Sequence, residues 1–88
     1  MANTHLDKKF TVKEQYRLYL EKMGLSEFTM HPEQKRQLKQ AFYGAWGQLQ
    51  ILMRDDIAEL PEEKGIEVLQ AQLIEVGDYW LTQKNQHN

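Results

Sequence analysis

Apolar residues near the start of the chain recur as Val12, Tyr16, Tyr19, Leu20 and Met23, the three-and-four spacing of one helix face. Thr11 stands just before them and Glu14 three residues after it, the arrangement of a capping box. Gly24 follows as a stop, with Leu25 beyond it in the position whose side chain often packs back on the last turn. This pattern predicts a helix over about 12–23. A longer stripe follows Pro32: Leu38, Phe42, Trp46, Leu49, Met53, Ile57 and Leu60 step by 4, 4, 3, 4, 4 and 3, with Ala41, Ala45 and Leu52 widening it. Proline suits the first position of a helix because its missing N–H has no partner there, and Glu33 sits where the helix dipole favours an anion. No proline interrupts before Pro61, so the second helix is expected over about 32–59. Ile66, Leu69, Leu73, Val76 and Trp80 then step 3, 4, 3 and 4, the a/d seam of a heptad pattern, and predict a third helix over about 61–83.

No strand-like alternation of useful length interrupts these stripes, so the expected fold is all-α. It is a long antiparallel helical hairpin, its arms joined tightly at Leu60–Pro61, with the short N-terminal helix lying across them. Residues 1–10 read as a flexible arm, 11–84 as one helical domain and 85–88 as a tail. In the connection "LSEFTMHPEQ", Ser26 is placed to cap a short turn over 27–30, and His31 lies at or next to the cap of the second helix.

Within the second stripe, "AFYGAWGQ" sets two glycines among three aromatic rings. A glycine inside a helix costs about 1 kcal/mol relative to alanine, so something should compensate. Counted from the turn, Gly44 falls level with Gly77 and Trp80 with Ala41. A close helix crossing is therefore expected, with Trp80 over the Ala41–Gly44 groove. The other reading is a cleft beside Tyr43, Trp46 and Tyr79 that admits a flat ligand or a partner side chain. Gly65 points to a close contact near Ile57. The apolar surface exceeds what two helices need: Tyr43, Ile51 and Leu52 flank the second stripe, and Val68, Ile74, Tyr79 and Leu81 flank the third. Such an excess marks an interface and predicts self-association.

Composition narrows the function. The 88 residues suffice for one domain, and a domain so small is often stabilised by oligomerising. There is no cysteine, hence no disulfide framework. "MANTHLDKKF" has no apolar run after its charges, and no stretch of about 18 apolar residues occurs, so a cytoplasmic protein without signal peptide or membrane span is expected. The net charge of −2 argues against general nucleic-acid binding. The charge is uneven, with nine Lys/Arg against five Asp/Glu in residues 1–54, and two against eight in residues 55–88.

The candidate chemistry is sparse. His5, His31 and His87 do not pair at metal-ligand spacing, so no metal site is expected. Asp55, Asp56, Glu59, Glu62, Glu63 and Glu67 crowd the link between the two long helices, where a solvated acidic tip is the expectation. The one serine, Ser26, lacks a nucleophile-elbow context, and "GAWG" is no phosphate loop. No enzyme and no cofactor are expected. Lys35, Arg36 and Lys39 open the second helix near Tyr43, and Lys13, Arg17 and Lys22 add positive charge from the first. Lys35, Arg36, Lys39 and Tyr43 are therefore the candidates for an anionic ligand. Tyr43, Trp46, Arg54, Tyr79 and Trp80 are the candidate anchors for a protein partner, being of the types that dominate interface energetics.

"AFYGAWGQLQILMRDDIAELPEE" followed by "VLQAQLIEVGDYW" resembles small all-α proteins of bacteriophages and mobile elements, over roughly residues 31–80. The resemblance carries over no catalytic or binding residue. It implies a non-enzymatic protein that binds a host protein or blocks a host defence. Together these readings lead to a self-associating helical protein that works by binding a protein partner. The alternatives are an oligomer that sequesters a small anionic ligand or nucleotide at subunit interfaces and, less favoured, nucleic-acid binding through the basic end.

Overall fold

The computed structural model describes residues 7–86 and is all-α, with no strand among them. Its helices are α1 (Val12–Lys22), α2 (Pro32–Asp55) and α3 (Glu62–Gln86). The two long helices have the lengths expected for the arms of a hairpin. The chain forms two compact units, one reaching to Leu49 and the other beginning at Gln50.

In the first unit, local chemistry sets both ends of α1. The Glu14 amide donates to the Thr11 hydroxyl at 3.1 Å, making one half of the expected capping box. The other half is absent because the Thr11 amide already donates to the Lys8 carbonyl at 3.1 Å. That bond closes a 3-10 turn over Lys8–Phe10, which Asp7 caps by accepting from the Lys9 amide. The last residues of the expected N-terminal arm are thus ordered by their own hydrogen bonds, and residues 1–6 of it lie outside the described residues. At the other end Gly24 takes φ +70°, and the amides of Gly24 and Leu25 donate to the carbonyls of Glu21 and Leu20. This is the paired hydrogen bonding of a Schellman stop. Ser26 caps the next turn through its hydroxyl, which accepts from the Phe28 amide at 3.2 Å. His31 caps α2, its Nδ1 accepting from the Glu33 amide at 3.1 Å, and Pro32 is the first helical residue.

Aromatic rings join α1 to α2. The Phe42 ring lies 5.2 Å from Tyr16, 5.3 Å from Tyr19 and 5.9 Å from Trp46, centroid to centroid, within the range in which tilted ring pairs attract. Tyr16 and Leu20 are buried there. The aromatic residues of "AFYGAWGQ" thus receive α1. A Cβ at Gly44, Gly47 or Gly77 would meet no atom within 4 Å. Trp80 is 45% exposed and packs edge-to-face on its neighbour Tyr79 at 5.3 Å.

In the second unit, α2 ends at Asp55 rather than near 59. Asp56 stretches to φ −119° within the right-handed region, and a 3-10 turn spans Ile57–Glu59. Leu60 is extended, as the following proline demands, and the Pro61 carbonyl accepts the first α3 bond from the Gly65 amide. Ile57 is buried, and its Cγ2 lies 3.7 Å from the position a Cβ would take on Gly65, the contact expected from the sequence. The expected C-terminal tail begins late, since α3 runs on to Gln86.

Candidate functional site

Two features of the described residues have the makings of a site, a cationic pocket in the first unit and the bare apolar face of α3 in the second.

The pocket holds about 520 Å³ and is lined by α1, the 3-10 turn before it, Glu27 and α2. Lys8, Lys13, Arg17 and Lys39 bring positive charge to it, Glu14 and Glu27 negative, and Tyr16, Leu20 and Tyr43 form its apolar wall. Two of the cations are already engaged. Arg17 donates two hydrogen bonds to Glu14, at 3.0 and 2.7 Å, and Lys8 stands 3.8 Å from the same carboxylate. The Arg17 guanidinium, bonded to that nearly covered side chain, holds the Glu14 carboxyl below its usual range, with burial opposing it. Lys13 and Lys39 have no carboxylate within ion-pair distance among the described residues. Lys39 places its ammonium 5.9 Å from the centroid of the Tyr43 ring, where the ring face attracts a cation.

Tyr16 is 4% exposed, and its hydroxyl finds no hydrogen-bond partner among the described residues. Burial is the main cause that raises its pKa, and the Glu27 carboxylate adds to it. A buried hydroxyl without a partner is an exception in folded proteins and calls for an explanation.

On α3 the heptad seam is open. Ile66, Leu69, Leu73, Val76 and Trp80 are all exposed, Leu73 at 73%. Ile74, Tyr79 and Leu81 widen the apolar surface on either side. Among the described residues only Tyr16, Leu20 and Ile57 are buried apolar side chains, so most of the apolar surface read from the sequence faces outward.

The anion candidates divide. Lys39 and Tyr43 meet and line the pocket, whereas Lys35 stays exposed at the start of α2 and Arg36 is paired with Glu33. Arg36 instead borders a shallow hollow of about 250 Å³ with Lys39, Gln40 and Tyr43. Of the partner anchors, Trp46 is half-buried beside Phe42, Arg54 is held by Asp55 at 2.7 Å, and Tyr79 and Trp80 are exposed on α3. The acidic residues around the α2–α3 link gather no metal-holding group of three among the described residues. Lys8, Thr11, Glu14, Tyr16, Leu20 and Glu27 are the pocket residues that sequence reasoning missed as a site. The signal available was the cationic face of α1, where Lys13 and Arg17 follow Lys8 and Lys9 closely.

No described helix is long and apolar enough to cross a membrane. No protein-family model, curated protein or solved structure matches the chain.

Proposed function

We propose that this is a non-enzymatic helical binding protein that self-associates through α3 and engages a protein partner in that associated form. The observation that carries the reading is the bare a/d seam. Fully burying one leucine or valine side chain gains about 1.5–3 kcal/mol, and the five seam positions, each 40–73% exposed, forgo about half of what full burial would give. A regular heptad spacing is the pattern another helix of the same kind fits, knob into hole.

The flanking charges favour a second copy running antiparallel. With Ile66, Leu73 and Trp80 as a and Leu69 and Val76 as d, the layers pair Leu73 with Val76 of the second copy and Leu69 with its Trp80. The flanking positions then oppose Gln70 to Gly77 and Gln72 to Tyr79, without like charges. Glu63 meets Lys84 of the second copy. A parallel pair would instead bring the acidic starts of α3 together, Glu62 against Glu62 and Glu63 beside it. The antiparallel arrangement also opposes the two helix dipoles. Ile74 and Leu81 stay outside the seam in such a pair and remain for a partner protein.

The test is the solution mass by light scattering, at two protein and two salt concentrations. The expected result is a salt-independent mass of at least twice the chain's 10.5 kDa, falling to that of one chain in Leu73→Glu. A monomer at every concentration, with the helix content of the intact protein, overturns self-association and leaves the seam to the partner alone.

A further inference from the structure

We propose that the pocket on α1 is a binding site for a nucleoside phosphate, complete within one chain and independent of the α3 seam. Its charge arrangement suits an anion. Of its four cations, Lys8 and Arg17 share Glu14, while Lys13 on α1 and Lys39 on α2 have no carboxylate partner among the described residues. Two unpaired ammonium groups on facing elements receive a phosphate, whose oxygens accept charge-assisted hydrogen bonds stronger than neutral ones. The Tyr16 ring supplies apolar wall beside them, its hydroxyl being sealed from solvent.

The remaining features say what the phosphate is attached to. A volume of about 520 Å³ is far more than inorganic phosphate fills and lies within the range of small-molecule sites. Tyr43 offers a ring face beside the Lys39 charge, so an aromatic base and its phosphate find a stacking surface and a cation side by side. Glu27 would repel a bare anion. It suits a ligand that also carries donors, such as sugar hydroxyls or an exocyclic amine. A planar base, a hydroxylated sugar and a phosphate satisfy all three demands together.

The experiment is an amide-shift titration of the full chain with the four ribonucleoside 5′-monophosphates, with adenosine and inorganic phosphate as controls. The expected result is saturable shifts confined to the residues around Lys13–Arg17 and Lys39–Tyr43, with a dissociation constant of about 1 mM or tighter for at least one nucleotide. Both controls should bind at least about tenfold more weakly, since each lacks one half of the recognition. Lys13→Ala with Lys39→Ala should weaken the nucleotide by about tenfold or more while leaving helix content unchanged. Tyr16→Phe serves as a control: the free protein should melt higher because an unpaired buried hydroxyl is gone, with the nucleotide bound as before. No shifts with any nucleotide at about 5 mM overturn the site. Phosphate binding as tightly as the nucleotide overturns the base and sugar assignment. Leu73→Glu, which is expected to dissociate the seam, should leave nucleotide binding intact, so that failure of the two readings can be told apart.

Discussion

Gly24 and Gly44 are the same residue type under opposite constraints. Gly24 holds φ +70° to complete the stop of α1, a conformation that costs an L-residue about 1–2 kcal/mol. Gly24→Ala should therefore lower the unfolding free energy by about that much, read as a shift in denaturant midpoint at constant slope. Gly44 sits in ordinary helix with open space around its missing Cβ, so Gly44→Ala should raise stability by about 0.5–1 kcal/mol. A destabilised Gly44→Ala would mean that another backbone does approach that face in the working assembly. Titration is also local. Arg17 beside Glu14 and Arg54 beside Asp55 hold those carboxyls below their usual values of 4.5 and 3.8, so they favour the folded state above those values. That stability is lost as pH falls through the depressed folded values. Tyr16, raised above 10.0, acts in the other direction: its contribution is complete below pH 10 and lost as pH climbs through the raised folded value. Thermal melts across pH should fall at both extremes. In Arg17→Met stability above pH 4.5 should fall and the acid limb should flatten, and an unchanged limb would show that the Glu14–Arg17 pair contributes nothing to it. These local devices were legible in the sequence because a cap, a stop or a proline acts within a few residues. Thr11, Gly24, Ser26, His31, Pro32 and Pro61 all stand where their types predicted.

For the helices, legibility depended on what marks the ends. α1 is flanked by Thr11 and Gly24, and both its boundaries followed from them. The end of α2 carries no such mark. The apolar step from Met53 to Ile57 to Leu60 continues unchanged through a helix break, because a 3-10 turn keeps nearly the same spacing and so hides the end at Asp55. The same limit applies to faces: a periodic stripe says that a helix side wants cover, not what covers it. Phe42 found its cover in Tyr16 and Tyr19, whereas the equally regular seam of α3 stayed open. The antiparallel pairing proposed for that seam predicts a charge-swap result. Glu63 and Lys84 lie about 31 Å apart along one helix, too far to interact within it. Glu63→Lys and Lys84→Glu should each weaken the dimer by about two- to tenfold, the worth of exposed ion pairs counted twice per dimer, and the double variant should recover most of the loss. Losses that simply add in the double variant would rule out this register, and dimer dissociation measured by sedimentation reads the difference directly.

At the scale of the whole molecule, the scarcity of buried side chains ties stability to concentration. Three buried apolar residues among those described are a small core for a chain of this length, and marginal domains rely on whatever else binds the native state. If that partner is a second copy, folding and association are one equilibrium, and mass action makes the melting temperature depend on protomer concentration. Raising the protein concentration tenfold should raise the melting temperature by a few degrees, since each tenfold change is worth about 1.4 kcal/mol per association step and a chain of this size shifts about 4–8 °C per kcal/mol, shared between two copies. The shift should persist in high salt, because apolar contacts are not screened, and should vanish in Leu73→Glu. The uneven charge sharpens the reading. The basic stretch to residue 54 and the acidic stretch after it would attract each other between copies, but such attraction between exposed charges fades beyond a Debye length of about 8 Å at physiological ionic strength. A concentration dependence that disappears with salt would therefore assign the association to the charged stretches and take it away from α3.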